Sequence, residues 1–595
     1  PWGVDFDTKG NAFVTACVID HMFHMAAGGH YVRQAGAPEN PHGYGLLPSI
    51  VDHRHFRAAF CGVQVYNGHQ YPSEYRGTIF QGNIHGNSVH QDKLNRHGAS
   101  FKASHIQDFL STDDGWFRPV STQTGPDGCL WIMDWHDKYP CYQNARANPE
   151  GVNRTHGRIW RIVHGGEPLD PRPEKPLSKL SAAELVSTLG HPNSWHRRTA
   201  QRLLGDYADQ APAAALTKLL SSKNQNAAYH ALLTLHESGT LTEQHLDTAA
   251  ASPMENLRIW SARLTGERTS GTPASFVRLD GLAADRSPQV RLAVATALRQ
   301  HTSSSLTVDH PIESSDAIPG IIGKLALASK DSVDQTLPFL IWMALEPLAA
   351  KDPTALLDWL ASSGHQAAPL SHTLTYKLML RICDSRKPGH LDAAAGFLAH
   401  TAGEHPGIAT AALGGLLEGQ KGRAVPPQHL PENLFAVLRK NLTGDQEKMQ
   451  INRLGALWGD STAVAGTIAV ALDPAVGEAT RIESLKIAAQ FRTPDAREKV
   501  LTLVSPSSSP DIVTAALRTL RTIGDDSLGT KLLDRYPALT PALRREIANT
   551  LILRPAWANS LLSALEENSV ATSEIPAPVI RALLDSGSEH IRARA

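Results

Sequence analysis

Pro119-Val120-Ser121-Thr122-Gln123-Thr124-Gly125-Pro126-Asp127-Gly128-Cys129-Leu130-Trp131-Ile132-Met133-Asp134 decides how the first third of this chain is read. Pro119 to Gln123 alternates like a strand, and Leu130 to Met133 reads as a second one. Gly125-Pro126-Asp127-Gly128 between them is a turn. Proline presets φ, aspartate bonds back to nearby amides, and glycine tolerates a left-handed backbone. The stretch therefore predicts two short antiparallel strands.

The pattern recurs on the N-terminal side. Gly3-Val4-Asp5-Phe6-Asp7 and Gly62-Val63-Gln64-Val65-Tyr66 alternate in the same way, at starts about 60 residues apart. A second strand follows each, at Ala12-Phe13-Val14-Thr15 and Thr78-Ile79-Phe80-Gln81. A third follows again, at Met22-Phe23-His24-Met25, Ser88-Val89-His90-Gln91 and Arg158-Ile159-Trp160-Arg161. Repeated short antiparallel units of this length read as propeller blades. About three blades cannot close a ring, so residues 1–165 are expected to be a partial β-propeller. The chain opens inside a strand-like pattern and stops inside a helical one. It is therefore expected to be a piece of a longer protein, with further blades upstream.

Composition changes near residue 166. Residues 1–165 hold 12 of the 22 Trp and Tyr and 19 of the 45 Gly, so the aromatic, turn-rich material is concentrated there. Gly166-Glu167-Pro168-Leu169-Asp170-Pro171-Arg172-Pro173-Glu174-Lys175-Pro176 reads as a stiff linker, residues 166–176. Beyond it Ala and Leu recur at helical spacing. Pro192, Pro253, Pro288 and Pro541 each open a helix with an Arg a few residues on, at Arg197, Arg258, Arg291 and Arg544. Glu589-His590-Ile591-Arg592 repeats the pattern, and Asn224 to Ala228 fits with the Arg lost. Residues 177–595 read as an α-solenoid of HEAT-like repeats. The fold class is multidomain, β then α.

The whole chain has 595 residues, with 57 Lys+Arg against 58 Asp+Glu. That balance excludes a basic nucleic-acid-binding tail and a polybasic membrane patch. No apolar run reaches the ~20 residues of a membrane helix. Five cysteines occur without any C-x-x-C spacing, so neither a zinc ribbon nor a haem attachment motif is encoded. A Cys129–Cys141 disulfide and buried free thiols are both open readings.

Blade connectivity places alternate loops on one face. Loops leading into the innermost strands carry Asp52, His53, His55, Trp116 and Arg118. Loops between second and third strands carry Asp20, His21, Asn83, His85, Asp134, Trp135, His136 and Asp137. A mouth lined by His, Arg, Asp and Trp suits a ligand. Each residue also has a plainer role. Arg118 pairs with Asp113 or Asp114, Asn83 and His85 form turns, and Asp134 caps a loop. His53 and His55, two apart, offer two metal ligands on one strand face. No third ligand is identifiable, and no metal is assigned. Asp134, His136 and Asp137 resemble an acid–base set, but no nucleophile accompanies them. The solenoid presents only solvated faces and helix caps.

Tyr71 to Phe80, Gly82-Asn83-Ile84-His85-Gly86-Asn87, Trp116 to Val120, the Gly125–Asp134 stretch and Gly157 to Ile162 together resemble the later blades of glucose/sorbosone dehydrogenase-like propellers. With HEAT repeats attached, the arrangement is similar to the membrane-bound dehydrogenase proteins of planctomycete- and verrucomicrobium-type bacteria. The resemblance implies a quinoprotein that oxidises a sugar or other alcohol, with pyrroloquinoline quinone at the top face. Arg118, His85, Asn83 and Trp116 would contact that cofactor. The catalytic base would lie in an upstream blade and is unknown here. A c-type haem module would lie beyond the C-terminus, and a periplasmic or cell-envelope location is implied. The rival reading is a non-catalytic module that binds protein or carbohydrate, with a protein partner on the HEAT surface.

Overall fold

Alternation of apolar and polar residues, punctuated by Gly and Asp turns, produces ten strands among the described residues of the computed structural model. The structure describes the chain except residues 1, 18, 34–35, 37–44, 56–58, 141–145, 152, 154, 166–174, 207–211, 269–270, 303–315, 363–368, 422–424 and 491–492. The expected linker thus lies mostly outside the described residues, as does Cys141, the partner of buried Cys129 in the disulfide reading.

Strands β1 (Val4–Phe6), β2 (Ala12–Thr15) and β3 (Met22–Met25) form one antiparallel meander. Strands β4 (Phe60–Val65), β5 (Thr78–Asn83), β6 (Ser88–His97) and β7 (Ser100–Ser111) form the second. Strands β8 (Pro119–Thr124), β9 (Leu130–Asp134) and β10 (Arg158–Ile162) form the third. The strands stand where the sequence places them, and β7 is an addition. The first strands of successive sheets approach at backbone distance. A Cβ on Gly3 would lie 2.8 Å from the Val63 nitrogen, and one on Gly62 would lie 2.7 Å from Cα of Ser121. Both glycines also hold positive φ, 142° and 57°. Three meanders do not make a closed ring. The architecture shown is a small N-terminal β region of three meanders, coarser than the partial propeller expected.

Helices follow from α1 (Ala182–Thr188) to α25 (Glu589–Arg594). Among them are α2 (Ser194–Asp206), α4 (Gln225–Glu237), α6 (Glu255–Gly266), α7 (Pro273–Ala283), α8 (Pro288–Thr302), α9 (Ala317–Ala326), α10 (Leu337–Lys351) and α22 (Pro541–Leu551). They stack as antiparallel pairs, the solenoid arrangement. The Pro-initiated helices carry buried or half-buried arginines that close the preceding turn. Arg197 Nη1 donates to the carbonyls of His191 and Pro192 at 2.6 and 2.8 Å. Arg258 donates to Ser252 and Pro253 at 3.0 and 3.1 Å. Arg544 donates to Leu539 and Pro537 at 2.9 and 2.7 Å. These satisfy carbonyls that a turn would otherwise leave unpaired. The arginines then reach an acid of the following repeat: Arg258 meets Asp285, Arg291 meets Asp331 and Arg544 meets Glu574. At Arg197 the buried His230 takes the acid's place, 3.3 Å away.

The chain divides into two compact units, residues 1–381 and 382–595. The last strand ends at Ile162 and the first α-helix starts at Ala182, yet the compact division falls later, because the β region packs on the first helices. Unit 2 has its own core, with Trp557, Leu517, Leu520 and Ile547 fully buried. Among the described residues no single helix is long and apolar enough to cross a membrane.

Candidate functional site

Arg118, the main ligand-contacting candidate, sits in the turn before β8 and is buried. Its guanidinium donates to the carbonyls of Phe117, Gly115 and Lys138 at 2.7, 2.6 and 2.6 Å, and to the Asn87 side chain. That fork is occupied by the protein itself. Asn83 is fully buried at the end of β5, and its Oδ1 accepts from the amides of His85 and Gly86 at 3.1 and 3.0 Å. It forms the turn that the plainer reading assigned to it. His85 stands on that turn, and Asn87 of the same turn joins the Arg118 loop, so the two loops do adjoin. Half-buried Trp116 lies 5.3 Å from the His136 ring. A quinone's carboxylates need a free forked donor. Arg118, with its four bonds made internally, does not fit that role, and no chemistry is derived through the cofactor.

Asp134 is likewise committed. Oδ1 accepts from the amides of Arg118 and His136 at 2.8 and 3.0 Å. Oδ2 accepts from Arg158 Nε and Trp160 Nε1 at 2.7 and 3.0 Å. A carboxylate with four donors is a structural knot, and Asp137 caps the amide of Tyr139 at 3.1 Å. In the acid–base reading of this trio the Asp134 carboxylate is fully engaged in holding loops.

The loops meet elsewhere. Ile50 ties the segment before β4 to two strands, taking the Met22 carbonyl at 3.0 Å and giving its own carbonyl to Ala103 at 2.8 Å. Beneath lies an apolar cluster of Phe13, Met22, Ile50, Val63, Ile79 and Phe101. This fixes residues 52–55 over β6. His53 and His55 of that segment face His21, from the β2–β3 turn, and Asp92, from the middle of β6. Ring centroids of His21, His53 and His55 stand 4.9–5.0 Å apart. Asp92 is fully buried, and His21 is 1 % exposed.

Gln81 Nε2 donates to Asp92 Oδ2 at 3.0 Å, and His105 Nδ1 reaches Oδ1 at 3.2 Å. His90 stacks on His55 at 3.8 Å. His90 accepts from Asn83 at Nε2, 3.1 Å, and so donates from Nδ1 to Asp108 at 2.5 Å. Burial holds the His21 imidazole below its ordinary pKa, outweighing the attraction of Asp92. Burial also lowers His90, to about 4, against the opposing pull of Asp108. Burial opposes ionisation of Asp92, but the approach of His21 and His55 and the charges of His53 and His55 outweigh it, holding its carboxyl well below the usual range. The cluster thus gathers imidazoles around one carboxylate.

Sequence reasoning put His21, His53 and His55 on one face and lacked the fourth group. Asp92 and His90 alternate along β6 as inward-facing polar residues, a signal that a strand interior normally does not carry.

A family model described as Domain of unknown function (DUF7133) matches residues 1–166. No curated protein matches the chain. Solved structures similar to it include Kap121p, at 11% identity and a TM-score of 0.41, over 69% of this chain and 52% of that chain. Another is the karyopherin Kap121p bound to the SUMO protease Ulp1p, at 11% identity and 0.41, over 68% and 48%. Uso1-2 is similar at 10% identity and 0.36, over 66% and 87%. This chain spans about half the length of the Kap121p chain. The family model overturns the resemblance to sugar-dehydrogenase quinoproteins: the stretch that carried it matches a family described only as a domain of unknown function. The physical reason lies in the motifs. Asp127 of Gly125-Pro126-Asp127-Gly128 accepts from its own turn, at the Cys129 amide, 3.1 Å, and Arg118 braces loops. Both are fold chemistry that no quinone requires.

Proposed function

We propose that this chain is a non-catalytic scaffold in which HEAT-type helices hold the β region rigidly and bind a protein partner. The observation that carries the reading is the seam between the β region and the first helices. Glu255 of α6 takes Lys9 Nζ and Arg96 Nη1, each at 2.7 Å. Trp260 Nε1 donates to the Lys9 carbonyl at 2.8 Å, and Arg198 reaches the Phe6 carbonyl at 2.7 Å. Asn193 Nδ2 donates to the Gly125 carbonyl at 2.9 Å, and the Ala99 amide to Asp334 at 2.7 Å. Side chains bonded to backbone fix orientation, which is what a scaffold needs.

The partner surface lies between α7 and α9. Phe276, Val277, Pro273 and Ile321 line an open groove of about 670 Å³, and Val277 is 73% exposed. Exposed apolar ground of this kind favours protein association. A photo-crosslinking residue placed at Val277 of the full chain is expected to trap a discrete protein from the native host, and the same residue at exposed Lys223 is not. Equal trapping at both positions, or none at either, would overturn the partner assignment.

A further inference from the structure

We infer that His21, His53, His55 and Asp92 form a binding site for one divalent transition-metal ion of the zinc type. The geometry is the argument. His21 Nε2 lies 3.5 Å from Asp92 Oδ2, His53 Nε2 lies 3.4 Å from the same oxygen, and His55 Nε2 lies 3.7 Å from Oδ1. None of the three Nε2 atoms has a hydrogen-bond partner, although each is buried. Those separations exceed a good N–H···O bond. The two to Oδ2 match the edge of a tetrahedron. Ligands about 2.1 Å from a central ion stand ~3.4 Å apart, since a tetrahedral edge is about 1.63 times its radius. All four ligand atoms lie within 4.8 Å of one another.

The donor chemistry agrees. Three imidazoles and one carboxylate suit zinc or cobalt(II), while calcium and magnesium favour all-oxygen shells. The surrounding residues orient the ligands as metal sites require. Gln81 and His105 hold the carboxylate, and the Phe60 ring packs 4.7 Å from His21. His53 and His105 are partly exposed, which leaves a way in. With four protein ligands the site would be structural rather than hydrolytic. The ion would join the β2–β3 turn, the 52–55 segment and β6, adding to the backbone bonds of Ile50 and the Asp20 contacts with Ser49 and Arg54. The inference is independent of the partner surface proposed above.

The test uses the full chain, purified without a polyhistidine tag, stripped with a chelator and titrated with Zn²⁺ alone and Co²⁺ alone. One ion per chain, a tetrahedral cobalt visible spectrum and a higher melting temperature with zinc are expected. His53→Ala, at a partly exposed ligand, should weaken zinc binding more than Gln81→Ala. The latter removes only an orienting group and should cost about 10–100-fold. No stoichiometric binding, or equal binding by wild type and His53→Ala, would overturn the site. If His53→Ala does not fold, the wild-type cobalt spectrum decides, an octahedral spectrum or none being the negative result.

Discussion

Arg291 forks onto Asp331 across one repeat, Nε and Nη2 each 2.6 Å from one carboxylate oxygen, with both residues buried. Removing one partner of a buried pair leaves the other charge desolvated, at about 3–5 kcal/mol. Asp331→Ala is therefore expected to destabilise residues 1–381 by that amount, seen as faster amide exchange in α8. Asp206→Ala, in the exposed Arg202–Asp206 pair, should change stability by less than about 1 kcal/mol.

Gly10 holds φ of 78°, and an added Cβ would lie 2.5 Å from the Trp260 ring. Gly10→Ala should strain the backbone and push α6 from the β region, costing about 1–3 kcal/mol. The expected signs are a lower melting temperature and altered Trp260 fluorescence. An unchanged fluorescence spectrum would mean the seam is looser than described.

His24 is buried, and burial, aided by the charge of Arg263, lowers its pKa from 6.5 to about 3. The unfolded chain takes up a proton below 6.5 and the folded one only near 3. Stability from this group is thus complete above 6.5 and is lost as pH falls toward 3. Between pH 7 and 5 the loss should be about 2 kcal/mol for this residue. His24→Gln, which does not titrate, should flatten the denaturation profile over that interval.

Arg118 braces four groups in the β region. Hydrogen bonds from a charged donor contribute about 1.5–3 kcal/mol each, and lysine cannot reproduce the fork. Arg118→Lys is expected to lower stability by about 2–4 kcal/mol in urea unfolding, since some bonds are regained. A stable Arg118→Lys protein would return this residue to the pool of ligand-binding candidates.

Much of the secondary structure was legible. The Gly125–Gly128 turn, the alternation at Val63–Val65 and the Pro-x-x-Arg helix starts each act within a few residues, where local sterics and hydrogen bonding decide. The same locality left the roles of Arg118 and Asp134 open between two readings. A polar residue beside a turn looks the same in sequence whether it faces a ligand or a neighbouring carbonyl. His53 and His55 were visible as a pair, but their companions lie on other strands.

Strand, turn and helix were written in this chain's own residue order, because side-chain alternation, glycine and proline act on the backbone nearest to them. Only tertiary structure decided that Asp92 would stand under three imidazoles, that Lys9 and Arg96 would share Glu255, and that the β region would belong to the same compact unit as the first helices. Those contacts join residues far apart in the chain. Their geometry depends on how the Ile50 segment threads between β3 and β7, which no short pattern specifies.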